Sequence, residues 1–168
     1  MYCETKDMTR ETLKVLGLNF NPFKAVVAPR PIGWVTTIDS KGVVNLAPYS
    51  FFNAVSSDPP MVFYGANGTK GTIGTHGADG GEKDSLRNVR ETGEFVCNLV
   101  TWDLRHQMND SATPAPHGVD EMEVTGLAKL PSRLVKPPRA VRGALGLHGL
   151  RRGGRRICDQ SAKLAVEK

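Results

Sequence analysis

Six of the chain's eleven aromatic residues fall between Trp34 and Tyr64. Around and among them stand Arg30, Thr36, Thr37, Asn45, Ser50, Asn53, Ser56 and Ser57. A flat heteroaromatic ligand needs such a mixture: apolar walls against its ring, donors and acceptors at its polar edge. A barrel core with one solvated face would carry the same residues, so the window alone leaves both readings open. A second stretch, "KDSLRN" (83–88), adds anion chemistry. A helix beginning at Asp84–Ser85 presents free backbone N–H groups, Lys83 adds a charge and Ser85 a hydroxyl. The Asp84 carboxylate would repel a phosphate and reads as a helix cap.

Other chemistry is hard to build from this chain. His76 sits in a glycine-rich loop, His106 between Arg105 and Gln107, His117 in "APHGVD" and His148 near the C-terminus. None pairs in sequence with a plausible Ser or Cys nucleophile, and no His, Cys and carboxylate residues share metal-ligand spacing. The expectation is therefore no metal and no catalytic side chain. A bound cofactor would do the chemistry, and the protein would hold and orient it.

The elements that must position these residues follow from the patterning. Residues 9–16 predict a short helix capped by Thr9. Residues 21–52 predict a β-hairpin. In it Ile32, Trp34, Thr36 and Ile38 alternate with Gly33, Val35 and Thr37, and "DSKG" (39–42) makes the turn. Pro29 and Pro31 confine "APRP" to a loop leading into the strand. Short strands are expected at 60–65 and 94–100. Helices are expected at 83–93, stopped by Gly93, and at 101–110, with Thr101 as cap. Glycines at 65, 68, 71, 74, 77 and 80 mark a low-complexity loop that is neither collagen-like nor a phosphate-binding Walker loop. Strands separated by a few helices and Gly/Pro turns predict a mainly β barrel.

Length and charge set the outer bounds. The 168 residues suit one domain. Cys3, Cys97 and Cys158 match no disulfide framework, which points to a reduced, cytoplasmic setting. No apolar run reaches membrane-spanning length, and no signal segment is expected. The net charge of +5 is divided unevenly: residues up to Ser132 sum to −3 and residues from Arg133 onward to +8. Whole-chain basicity is thus a poor argument for nucleic-acid binding by the folded part. Near Ala140 the sequence turns into "AVRGALGLHGLRRGGRRI", which lacks strand alternation. It reads either as an RGG-like arm or, preferably, as GC-rich coding DNA translated out of frame. An arm for RNA would show salt-sensitive binding lost on deletion after Arg139.

Three ordered stretches carry a resemblance. They are "VAPRPIGWVTTIDSKGVVNLAPYSFFNAVSSDPPMVFYG", "KDSLRNVRETGEFVCNLV" and "MNDSATPAPHGVDEMEVTGL". Together they resemble the flavin reductase-like family of FMN-binding split barrels. The resemblance implies a Greek-key split barrel over residues 21–139, an N-terminal extension over 1–20 and an atypical basic tail over 140–168. It implies FMN as cofactor, NADH or NADPH as reductant, a homodimer, and in some members a flavin-dependent monooxygenase partner. Other members are flavodoxin-like electron carriers. Carried over by position, the segment with Arg30, Trp34 and Thr36 and the segment with Asn45, Ala47 and Pro48 correspond to flavin-binding walls. Ser50, Phe51, Phe52 and Asn53 would run along the isoalloxazine and ribityl chain. Ser57, Lys83, Asp84 and Ser85 would lie at the phosphate. Hydride would pass from the nicotinamide to the flavin with no protein base. Family members continue past "VKPPR" with further barrel strands, so an irregular tail here would leave an open sheet edge.

Overall fold

The computed structural model describes residues 10–18, 22–66 and 82–140, and the backbone of 146–151 and 162–167. The element order is α1 (Arg10–Val15), α2 (Pro22–Val26), β1 (Gly33–Ile38), β2 (Val44–Tyr49), β3 (Phe52–Ser57) and β4 (Pro60–Tyr64), then α3 (Asp84–Thr92) and β5 (Glu94–Asn98). A 3₁₀ turn (Trp102–Leu104) leads into α4 (Arg105–Asp110), followed by α5 (Glu121–Val124), β6 (Lys129–Leu130), β7 (Arg139–Ala140), β8 (Gly146–Arg151) and β9 (Ala162–Glu167). Thr9 and the glycine repeat from 67 to 80 lie outside the described residues.

The expected hairpin forms between β1 and β2, with Thr36 opposite Leu46. Its turn is built by Asp39, whose carboxylate accepts the N–H groups of Lys41 (2.8 Å) and Val43 (2.7 Å). Gly42 closes it at φ 90°, a left-handed value that a Cβ disfavours. The hairpin is shorter than expected. Residues 22–26 are helical, and the chain breaks at Ser50–Phe51 before starting β3.

That break governs the architecture. Seven of the strands form one antiparallel sheet in the order β2-β1-β5-β8-β9-β4-β3, and β6 and β7 pair separately. β2 and β3 stand at opposite ends of this order, yet only Ser50 and Phe51 separate them in sequence. The sheet must therefore roll until its ends meet. Among the described residues no hydrogen-bonded ladder joins β2 to β3, so the barrel is split rather than closed. Side chains bridge the split. Tyr49 of β2 packs its ring 5.0 Å from that of Tyr64 on β4, and Phe52 lies across Gly33 of β1.

Alternation along β1 feeds two cores. Val35 joins Tyr49, Val62, Tyr64, Val89, Phe95 and Cys97 inside the roll. Trp34 joins Val44, Leu46, Met122 and Ala140 on the other side, under α4 and α5. Burying a side chain of this size contributes roughly 1.5–3 kcal/mol. The buried polar groups of β1 are satisfied: Thr36 Oγ1 accepts from Asn98 Nδ2 (2.7 Å), and Thr37 Oγ1 from Asn88 Nδ2 (3.1 Å). Burial raises the Cys97 thiol to about 12, so it remains protonated and packs as a small apolar group.

Residues past Ala140 correct one expectation. The segment with no strand alternation supplies β8, and β9 follows beyond it; the two pair with each other and with β5 and β4 in the middle of the sheet. Ladder bonds are backbone to backbone, so two waiting strand edges can recruit a segment whose side-chain pattern is poor.

Gly33 is the tightest point of the roll. A Cβ there would stand 2.6 Å from the Phe52 ring. Gly33→Ala should cost about 1–3 kcal/mol. In urea unfolding, the double variant with Phe52→Ala should lose less than the sum of the two single losses.

Candidate functional site

A cleft of about 170 Å³ opens at the end of the rolled sheet where β2 meets α3. Asn45, Ala47, Pro48 and Tyr49 form its floor, and Glu82 to Ser85 form one wall. The other wall is the 111–117 loop and the start of α5, with Ser111, His117 and Glu121. One hydrogen bond fixes floor to wall: Asn45 Nδ2 donates to Ser85 Oγ at 2.7 Å, both residues being buried. Ser85 also bonds the Tyr49 hydroxyl, which burial raises to about 12.

α3 begins at Asp84 as expected and ends at Gly93, which takes the left-handed φ of 74°. Its capping differs from expectation. The N-cap position is Lys83, which makes no side-chain cap bond. Asp84 pairs instead with His117 (2.6 Å) and Arg87 (3.5 Å). One physical reason is position: Asp84 lies one residue inside the helix, and its carboxylate has the Arg87 guanidinium and the His117 ring within reach. The Leu86 and Arg87 N–H groups donate to the Lys83 carbonyl, which leaves the Asp84 and Ser85 N–H groups without an intrahelical partner, the arrangement an anion can use. Lys83 stands at the same end with its ammonium 5.4 Å from the Tyr49 ring centroid. Burial, with Lys24 adding repulsion, lowers its pKa. Thr101, the other expected cap, likewise makes no cap bond.

The remaining acids differ in their pairing. Glu82 is held by Arg90, and Asp120 by Lys129 at 2.6 Å. Glu121 has no cation among the described residues; its Oε2 accepts the N–H of Leu46 at 3.0 Å. Burial is the main cause that raises its carboxyl from 4.5 to about 7.

The structure divides the sequence-derived site residues. Asn45, Ala47, Pro48, Lys83, Asp84 and Ser85 line the cleft together. Trp34 and Thr36 are fully enclosed; the Trp34 indole donates to Ser111 Oγ at 2.9 Å and so supports the far wall from behind. Arg30, Ser50, Phe51, Phe52, Asn53 and Ser57 do not line it. Arg30 donates to the carbonyls of Lys24 and Val27 and lies 5.7 Å from the Phe51 ring centroid, while Phe51 stacks on Phe23. Asn53 and Ser57 are exposed on β3. Sequence reasoning missed Tyr49, Glu121 and the 111–117 loop as site elements. The signal was the motif "MNDSATPAPHGVDEMEV" itself, whose residues do not alternate in any way that names a partner surface.

A rolled antiparallel sheet with its two end strands joined by Ser50–Phe51 and a cleft at its split end defines a split barrel. The flavin reductase like domain family matches residues 27–148, and the chain belongs to that family. An uncharacterized protein of Aquifex aeolicus is 39% identical over 114 residues, covering 68% of this chain and 54% of that protein. One from Deinococcus radiodurans is 42% identical over 122 residues, covering 68% and 48%. The chain thus spans about half the length of these curated relatives. Among solved structures, nitrilotriacetate monooxygenase component B from Bacillus cereus superposes with a TM-score of 0.71 at 23% identity, over 98% of this chain and 76% of that one. Flavoredoxin of Desulfovibrio vulgaris (Miyazaki F) gives 0.68 at 15% identity, over 84% and 70%. The Streptomyces globisporus NADH:FAD oxidoreductase SgcE6 gives 0.63 at 16%, over 98% and 83%. These likenesses establish the split-barrel fold. Among the described residues no helix is long and apolar enough to cross a membrane, and no cluster fits a metal ion.

The Glu121 carboxyl binds its proton more tightly folded than unfolded. Its contribution to stability is therefore full below pH 4.5 and is lost as pH rises through about 7. Glu121→Gln should remove that slope and be more stable than the native chain at about pH 8 by roughly 1–3 kcal/mol. Urea midpoints at acidic and alkaline pH check this; a difference between the two chains that does not change with pH refutes it.

Proposed function

We propose that the chain is an FMN-binding oxidoreductase of the flavin reductase type, with NADH or NADPH as hydride donor. One observation carries the reading. The uncapped start of α3, with Lys83 and Ser85, opens on the same cleft as Asn45, Ala47, Pro48 and Tyr49 of β2. An uncapped helix terminus beside a partly desolvated lysine fits a phosphate monoester. Bound FMN supplies a two-electron acceptor, so no protein nucleophile or metal is needed. The protein's work is then to hold and to shield. Lys83, Ser85 and the first-turn amides take the phosphate, Asn45 keeps Ser85 in place, and the backbone from Ala47 toward Asn53 follows the ring system. His117 holds the Asp84 carboxylate to one side of the anion.

The cleft volume of about 170 Å³ is below the roughly 300–1,000 Å³ of ligand sites. This supports a homodimer in which a second copy completes the site. Arg30, Phe51, Phe52 and Asn53, outside the cleft of one protomer, are then candidates for the ring end of the ligand. A cytoplasmic setting and delivery of reduced flavin to a partner monooxygenase belong to the same reading. The likeness in fold to a flavoredoxin favours a second reading, a flavin-binding electron carrier with negligible NAD(P)H oxidation. We keep as a separate proposal that residues 140–168 are translated out of frame; translating the other two frames of the gene tests it.

Purified protein should be yellow, and its flavin absorbance should bleach under NADH or NADPH. Bleaching absent in a yellow protein selects the electron carrier, and a colourless protein that takes up no added FMN refutes both. Lys83→Ala should weaken FMN binding about tenfold, one charge-assisted hydrogen bond's worth.

A further inference from the structure

Glu121 stands apart from the other acids of the cleft. Glu82 is paired with Arg90, and Asp84 with Arg87 and His117. On the helix of Glu121 itself, Asp120 and Glu123 are both held by Lys129. Glu121 meets only a backbone amide, Leu46 N–H at 3.0 Å, and no cation among the described residues. Lys83 is the complementary case. It lines the same cleft, and no carboxylate pairs with it among the described residues. Among the described residues the cleft therefore carries one unpaired cation and one unpaired acid that do not pair with each other. A ligand anion neutralised by Lys83 must share the cleft with the Glu121 carboxyl.

We propose that Glu121 is the charge filter of this cleft: with its carboxyl protonated it admits an anionic ligand to Lys83 and Ser85, and once ionised it disfavours that ligand. The proposal rests on the reading that a flavin phosphate enters here. The titratable groups that line the cleft with Glu121 are Tyr49 from β2, Glu82 and Lys83 just before α3, Asp84 at its first position and His117 from the 111–117 loop; Asp120, the N-cap of α5, and Glu123 are its neighbours in sequence. Of these, Asp84, Glu82, Asp120 and Glu123 have cationic partners, and Tyr49 stays neutral because burial raises it to about 12. Burial also brings the Glu121 carboxyl to about 7, so it changes charge across neutral pH. In the rolled sheet this acid has a second task. It covers the Leu46 amide on the end strand β2, which explains why a costly buried carboxyl stands here. Glutamine keeps an acceptor for that amide and removes the charge, which separates the two tasks.

The test is equilibrium binding of FMN and of riboflavin, which lacks the phosphate, followed by flavin fluorescence at about pH 6 and about pH 8.5. The ligand's own titration and every other group of the cleft are common to the native and Glu121→Gln chains, so the ratio of their dissociation constants isolates Glu121. For FMN the ratio of native to variant should be near one at the lower pH and rise about threefold to tenfold at the higher pH. For riboflavin it should stay level. A constant FMN ratio, or an equal rise for riboflavin, overturns the filter. If Glu121→Gln does not fold, the native chain alone decides. FMN must then lose more affinity than riboflavin between the two pH values; equal losses overturn the filter. Failure of both ligands to bind at either pH refutes the flavin reading itself, and the filter with it.

Discussion

The hydrogen bond from Asn45 to Ser85 is the tie on which the site depends. It joins the start of a sheet strand to the first turn of a helix forty residues later. Both groups are buried, so breaking the bond would leave a donor and an acceptor unsatisfied in a dry place. That cost fixes the helix terminus over β2, and with it the position of Lys83 and of the Asp84 and Ser85 amides. The Tyr49 hydroxyl joins the same serine, so the floor and one wall of the cleft behave as one polar network.

The network exists because the sheet is rolled. With β2 and β3 at its two ends and only Ser50–Phe51 between them, a flat sheet of this order is impossible. Rolling turns one face of β1 inward, where Val35 meets Phe95 and Tyr64, and leaves the other for Trp34 under α4 and α5. Gly33 permits the closest approach of the two ends, since any side chain there would enter the Phe52 ring. The Trp34 indole, bonded to Ser111, carries the same constraint through to the loop that forms the cleft's far wall.

Much of the local structure was legible in the residues themselves. The alternation from Gly33 to Ile38, the Asp39–Gly42 turn and the Gly93 stop each rest on chemistry contained in a few neighbouring positions. So did the placement of Lys83 and Ser85 at a helix start. What was not legible there shares one cause. Asp84 has a capping side chain, and nothing nearby in sequence shows that His117 will be there to claim it. Trp34 and Thr36 have the types of a ligand wall, and only the packing of α4, α5 and Asn98 decides that they are enclosed. The strands formed by residues 146–151 and 162–167 were illegible, because pairing there follows from the free edges of β5 and β4 and owes little to side-chain pattern.

By itself, then, the sequence determined which segments turn, which faces are apolar, and that a helix starts at residues 83–85 with a lysine and a serine at its end. The family resemblance belonged to the same level, since it rests on ordered local motifs. Only the tertiary structure decided which members of the aromatic and polar window share a cavity, and that Glu121 stands in it without a cation. The physical reason is that burial and charge pairing are properties of a place. A carboxyl's proton affinity, a serine's partner and a tryptophan's exposure depend on segments forty to eighty residues away, brought near by the roll of the sheet.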